Sequence, residues 1–474
     1  MDAHTIRRLV DELWTRSALP SLAEFVRIPA LSPLYDASWA ANGHLRAATE
    51  HVGAWITARA LPGARIETLT LEGRSPLLIA DIPATAGAAA RNAGTVILYG
   101  HLDKQPPLDG WSAGLEPWKP VLRGGRLYGR GAVDDGYSGY AATTALEAVR
   151  AAGGEHARTV ILLETCEESG STDLPAYLDL LSQRLAHVSL VVCLDIGGID
   201  YERLWLTDSL RGLVQLTVTA RVLETPQHSG LAGGIVPDPF RVLRHLLDRV
   251  EDAASGEIKI PAMHVALPPE RHTAARDAAA LAPGLIAGRF PMVAPFPAAG
   301  ADEAELLLNN TWRPALTVTG AAGLPKPADA GNVLRPAASL KLSFRVPPTA
   351  DAQAALAALE KTLTTDVPAG AKVELSDRLT MNGWAAPAPA PWLRAALARV
   401  GAEVFGRPHA VLGCGGSVPF MELLGRKYQN ADFLATGALG ADSNAHGPDE
   451  WLNIAFAQRV TEVVAHILDG HARK

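Results

Sequence analysis

Hydrophobic positions along the chain change their spacing several times, and each change predicts a different element. Near the start Ile6, Leu9, Val10 and Leu13 recur at helical spacing, and Leu22, Phe25 and Val26 predict a second helix that Pro29 and Pro33 end. Three continuous apolar runs follow, Val96 to Tyr99, Val160 to Leu163 and Val188 to Leu194. Runs of this kind are expected of strands covered on both faces. An Ala-rich helical stretch from Tyr137 to Ala152, stopped by Gly153-Gly154, separates the first two. Strand and helix alternation predicts an α/β fold around a mainly parallel sheet, whose ligands bind beyond the carboxyl ends of the strands.

After about Thr207 the period becomes two: Val214, Leu216, Val218, Ala220 and Val222 alternate with Gln215, Thr217, Thr219 and Arg221. A helix opened by Asp238-Pro239 carries Phe240, Leu243, Leu246, Leu247 and Val250 on one side, and a second alternating strand runs from Leu340 to Val346. Helical spacing returns from Pro391 in Leu393, Ala396, Leu397 and Val400. These shifts predict a discontinuous first domain, 1–207 and 389–474, interrupted by an inserted α+β domain, 208–388. Ala84 to Gly94 and Ala294 to Ala301 read as solvent loops.

Composition narrows the function classes. At 474 residues, two domains suit the prior of about one per 150 residues. The 43 Lys/Arg and 50 Asp/Glu side chains are scattered, without the basic block that nucleic acid requires, so no nucleic-acid partner is expected. The charged N-terminus and the lack of an 18-residue apolar run predict a cytoplasmic protein away from membranes. Three widely spaced cysteines, Cys166, Cys193 and Cys414, leave any metal to imidazole and carboxylate ligands.

Such ligands gather at strand ends. His101-Leu102-Asp103 follows the first run, pairing an imidazole with a carboxylate that can orient it. Gly129-Arg130-Gly131-Ala132-Val133-Asp134-Asp135 places two acids before the Ala-rich helix, Glu167-Glu168 follows the second strand, and Asp195 ends the third. Each alone fits a turn or a helix cap. Together they fall on one rim of one sheet, where crowded like charges repel unless a cation lies among them. His446, in Asn444-Ala445-His446-Gly447-Pro448, completes a set of two imidazoles and three carboxylates.

These segments, with Tyr99 to Pro106, Glu164 to Ser171, Leu194-Asp195 and His228-Ser229-Gly230, resemble the M20 metallopeptidase family of carnosinase-like dipeptidases, glutamate carboxypeptidases and aminoacylases. The resemblance runs from about Pro76 to Ile454. It implies a two-zinc catalytic domain, with manganese or cobalt as other possible ions, and an inserted lid domain through which the chain forms a homodimer. By resemblance Asp134 bridges the ions, His101 and Asp195 complete one site, and Glu168 and His446 the other. Asp103 orients His101, and Glu167 is the general base.

The resemblance also implies that His228 crosses to a partner subunit to stabilise the oxyanion, that Arg345 grips a substrate carboxylate, and that Asn332, Gly416 and Ser417 contact substrate. The expected substrate is a small peptide, cut by a dipeptidase or carboxypeptidase. An N-acyl amino acid, cut by a deacylase, is the alternative, because Gly413-Cys414 and Gly136 stand where many relatives have Arg-Glu and Lys. A scaffold without activity need not have kept Glu167.

Overall fold

The computed structural model describes residues 2–288, 290, 292–293 and 302–474, so the loop expected at Ala294 to Ala301 lies outside the described residues. Contacts divide the chain into two units, one of residues 1–208, 386–412 and 418–474, the other of 209–385 and 413–417.

The first unit is built on a sheet whose strands lie in the order Arg65–Leu69, Leu77–Ile82, Arg158–Glu164, Thr95–His101, Val188–Cys193, Asp432–Ala435. The four strands from Arg158–Glu164 onward pair in parallel, and the first two add antiparallel pairings at one edge. Thr95–His101 is buried at every position, as its continuous apolar run predicts. Register sets His101 beside Glu164 and Tyr99 beside Cys193, so the predicted ligand segments emerge from neighbouring strand ends.

The helix Tyr137–Ala151 is buried along almost its whole length. Its alanines and glycine allow that: a Cβ on Gly139 would lie 2.7 Å from Leu163 Cδ1. The N-terminal helices Ala3–Leu13 and Leu19–Val26, joined by a π turn, bury Ile6, Val10, Trp14, Leu22 and Phe25. Trp14 Nε1 donates to Thr461 Oγ1 at 2.9 Å, tying them to the C-terminal helix Ile454–Ala472. The stretch Ala84 to Gly94, expected as a loop, contains the short helix Ala86–Ala90, with Ala88 buried against the fold.

The second unit has an antiparallel sheet in the order Ala315–Ala322, Ala337–Val346, Gly212–Arg221, Lys372–Met381. One face packs Val214, Leu216, Val218, Leu342 and Phe344 against the helices Pro239–Leu247 and Ala352–Thr364. On the polar side Gln215 Nε2 donates to Ser343 Oγ and Thr219 bonds Ser339. The helix stripe differs from expectation at one position: Phe240 is 38% exposed, and Val242 joins Leu243, Leu246 and Val250 in the core. The inward stripe is therefore centred further along the helix than Phe240.

Residues 413–417, expected in the returning part of the first domain, belong to the second unit. Arg211 explains it, donating its amide to the Gly416 carbonyl at 3.1 Å and Nε to the Gly415 carbonyl at 3.0 Å, and accepting the Ser417 hydroxyl on its own carbonyl.

Gly100 sits one residue before His101, and a Cβ there would lie 2.6 Å from Ser138 Cβ and closer still to its hydroxyl. Gly100→Ala is expected to cost roughly 1–3 kcal/mol of stability by overpacking. Urea or thermal unfolding would read the loss as a lowered midpoint, and an unchanged midpoint would show that Ser138 yields.

Candidate metal centre

Five predicted ligands meet in the first unit. His101, the last residue of its strand, is fully buried and turns Nε2 toward Asp134 Oδ1 at 3.3 Å and Asp195 Oδ1 at 3.8 Å. The other Asp134 oxygen lies 3.0 Å from His446 Nε2, which is 3.4 Å from Glu168 Oε2. The five side chains thus form two groups, His101–Asp134–Asp195 and Asp134–Glu168–His446, that share Asp134.

Donors about 2.1 Å from one ion, at near-tetrahedral angles, stand about 3.4 Å apart, and the four separations scatter around that spacing. Two atoms at the centre, His101 Nε2 and Glu168 Oε1, are buried and have no hydrogen-bond partner. Unsatisfied buried polar atoms are costly, and pairing them with cations answers the cost. The residues therefore fit divalent metal.

Asp103 is placed differently from the simplest expectation. His101 Nδ1 has the Asp103 backbone carbonyl at 3.0 Å, while the Asp103 carboxylate stands at 3.5 Å. That carboxylate accepts the backbone amides of Glu167 and Glu168, at 3.2 and 3.0 Å. One residue thereby orients the imidazole and holds the paired glutamates.

Charge crowding leaves its mark on protonation. Burial raises the pKa of Glu167 to about 8, with Glu164, Asp103 and Asp134 adding repulsion. Burial likewise lifts Glu168 and Asp195 well above the carboxylate range, Asp135 to about 8 and Glu164 to about 7. Burial also opposes the charge on Asp134, but the imidazoles of His101 and His446 facing it hold its carboxyl below the ordinary value. For His446 burial works the other way and is outweighed by Asp134, which raises the imidazole to about 9.

Several neighbours carried no expectation. Gln105 Nε2 donates to Glu168 Oε2, and Tyr35, which hydrogen-bonds Gln105, brings an N-terminal segment to the same carboxylate. Glu450 accepts the amide of Asp134 at 3.3 Å. Gln105 stands inside the segment Tyr99 to Pro106, but nothing in its spacing reveals its partner.

The other predicted residues lie in the second unit, in two groups. His228 pairs with Val333 across a short antiparallel ladder and caps the turn Ser229–Ala232, while the Asn332 carbonyl accepts the Ser229 amide at 2.9 Å. Arg345, partly buried, donates Nη1 to Ser417 Oγ at 2.8 Å, next to Gly416. Arg211 packs beside them, its pKa lowered to about 10 first by burial and then by Arg345.

The model of Peptidase family M20/M25/M40 matches residues 97–470, a span that holds all five candidate ligands. The chain belongs to this family. It is accordingly a hydrolase of the peptidase kind, and its family is one of metal-dependent enzymes. It is 27% identical over 428 residues to a cysteinylglycine-S-conjugate dipeptidase of Corynebacterium striatum, covering 88% of this chain and 89% of the relative. Among solved structures, human carnosine dipeptidase 1 aligns with a TM-score of 0.77 at 21% identity, over 100% of this chain and 99% of that one. A family M20 metallo-carboxypeptidase of Sulfolobus solfataricus aligns with a TM-score of 0.79 at 19% identity, over 96% and 99%. Among the described residues no helix is long and apolar enough to cross a membrane.

These protonation shifts set a pH dependence for the metal-free protein. Glu167 has a higher pKa folded, about 8, than its ordinary 4.5, so its contribution is whole below pH 4.5 and is lost as pH rises through 8. His446, raised from 6.5 to about 9, contributes fully below 6.5 and loses that through 9. Asp134, shifted the other way, contributes fully above the ordinary 3.8 and loses that only as pH falls below it. In chelator, the melting temperature should therefore fall between about pH 5 and 9, and saturating divalent metal should flatten the fall. Parallel curves with and without metal would count against a centre built from these residues.

Proposed function

We propose that the protein is a two-ion peptidase that cleaves an amide bond in small substrates bearing a free carboxylate, as a dipeptidase or carboxypeptidase. The observation that carries this reading is the Asp134 carboxylate, which faces one imidazole with each oxygen and has Glu167 beside it. His101 and Asp195 would hold one ion, Glu168 and His446 the other, with zinc preferred and manganese or cobalt suited to the same donors. The dipeptidase names of its relatives support this substrate class.

Ions bound there supply Lewis acidity toward an amide carbonyl and acidify a water. Glu167 would accept a proton from the water that attacks the amide carbonyl carbon and pass it to the nitrogen as the C–N bond breaks. Burial raises its carboxyl in the metal-free protein, and divalent charge beside it would favour the ionised form that accepts a proton. Asp103 keeps Glu167 and Glu168 in place by binding both amides. Arg345 takes the substrate carboxylate with a planar guanidinium, and Ser417, Gly416 and Asn332 add hydrogen bonds. His228 stabilises the oxyanion in a partner copy, which makes the functional unit a homodimer joined through the inserted domain. The three cysteines are free, in keeping with a cytoplasmic enzyme.

One observation favours a second reading. The loop bearing Ser417 presents Cys414, which has no carboxylate to receive a substrate ammonium group, so an N-acyl-amino-acid deacylase using the same centre is the alternative. A hydrolysis screen of dipeptides, N-acyl amino acids and carboxyl-blocked versions, on protein loaded with each metal, separates the two.

Glu167→Ala should keep its metal, by elemental analysis, while kcat falls about 10²- to 10⁴-fold. Full turnover in that variant would sink the mechanism. Arg345→Ala should raise KM about 10- to 100-fold for substrates with a free carboxylate and leave carboxyl-blocked ones nearly unchanged. An equal effect on both kinds would remove Arg345 from carboxylate recognition.

A further inference from the structure

The ligands of the two proposed ions are held by different means. His101 ends a buried strand and Asp195 follows the strand Val188–Cys193, so the core itself fixes that pair. His446 instead lies on the loop between the strands Asp432–Ala435 and Trp451–Asn453, and its side chain is 57% exposed. Its own backbone is left-handed, φ 63°, as are Asp442, Asn444 and Asp449 in the same loop. Left-handed backbone is disfavoured at a residue with a Cβ, least so at Asp and Asn, so the turn at His446 gains from a restraint outside it.

Arg130 supplies one. It is 1% exposed and spends its guanidinium on three acceptors in two segments: Nε donates to the Pro106 carbonyl at 3.2 Å, Nη2 to the Gly447 carbonyl at 2.8 Å, and Nη1 to Glu450 Oε2 at 2.7 Å. Glu450, fully buried, accepts the amides of Val133 and Asp134 on its other oxygen, at 3.2 and 3.3 Å. Its backbone carbonyl accepts the Gly129 amide at 3.0 Å. Two side chains thus join the loop after His101, the turn that carries Asp134, and the peptide next to His446. Burying such a pair is costly, and here every guanidinium nitrogen and both carboxylate oxygens are satisfied.

We propose that the Arg130–Glu450 pair is the positioning device of the ion held by His446 and Glu168. It touches neither ion, and it sets the distance between Asp134 Oδ2 and His446 Nε2 by holding the backbone on both sides of that gap. Loosening it frees His446 from Asp134 and leaves His101 and Asp195 on their strand ends. The pair therefore governs one ion and spares the other. This rests on the two-ion reading given above.

The test is a cobalt(II) titration of the metal-free full-length protein, followed by calorimetry and by the visible absorption of the bound ion. The native chain should take up two equivalents in two steps, and His446→Ala identifies which step belongs to its ion. Glu450→Gln, which keeps volume and loses charge, should weaken that step about 10- to 100-fold and leave the other unchanged. Arg130→Lys, which keeps charge and loses the three-way fork, should do the same. Unchanged affinities, or equal weakening of both steps, in a variant that melts like the native protein would overturn the proposal. If Glu450→Gln does not fold, Arg130→Lys decides, and if neither folds the pair is a determinant of the fold and the positioning role falls. A native chain that binds fewer than two ions overturns the two-ion reading and this inference together, whereas two native ions with indifferent variants overturn this inference alone.

Discussion

The structure of the first unit depends on a concentration of carboxylates that burial alone would forbid. Asp103, Asp134, Asp135, Glu164 and Asp195 are all under 9% exposed at one end of a parallel sheet, with Glu167 and Glu168 beside them. Like charges in such a place either take up protons or find a cation. Burial does raise most of these pKa values, and Asp134 escapes only because two imidazoles face it. The strands bring the acids together, and countercharge lets them stay. The requirements on Gly100, Asp103 and Arg130 follow, because each holds a backbone segment whose side chain would otherwise be pushed away.

That arrangement explains why the candidate ligands were legible in the sequence. A buried strand is written as an unbroken apolar run, and a polar residue placed directly after it has no choice but to stand at the strand end. His101 and Asp195 are candidates of this kind, and Glu167 and Glu168 follow in the turn just after Glu164, the residue that ends the strand Arg158–Glu164. His446 is not: it follows no apolar run, and only its motif resemblance singles it out. The roles of Gln105, Arg130 and Glu450 were illegible for a further reason. Their partners lie between 24 and more than 300 residues away in the chain for Arg130 alone, so no local pattern encodes them.

The second unit was legible in the same partial manner. Alternation along Leu340 to Val346 separated a core face from a polar face and set Arg345 on the polar one, where it meets Ser417. What alternation could not supply was the ownership of residues 413–417, decided by Arg211, whose hydrogen bonds go to the Gly415 carbonyl and to its own neighbours in that unit. Two arginines packed together repel, which helps to lower the pKa of Arg211. Arg211 spends its donors on backbone carbonyls, and Arg345 is the one of the two whose charge is directed at a hydroxyl instead. A carboxylate arriving beside Ser417 would relieve both cations, and that is the electrostatic reason for assigning Arg345 the substrate.

The same crowding bears on why Glu167, and not one of its acidic neighbours, suits the proton transfer. Glu168 is held by Gln105 and lies 3.4 Å from His446, Asp195 is 3.8 Å from His101, and Glu164 accepts from Tyr99 and Ser171. Each of these carboxylates is committed to a cationic or hydrogen-bonding partner that would have to be given up for a proton. Glu167 is anchored through its backbone amide on Asp103, which fixes its position without engaging its carboxylate. With divalent charge beside it, its pKa must drop from the metal-free value of about 8, since a nearby cation favours the ionised form. Burial pushes it up and divalent charge would pull it down, so the two influences on this group oppose each other.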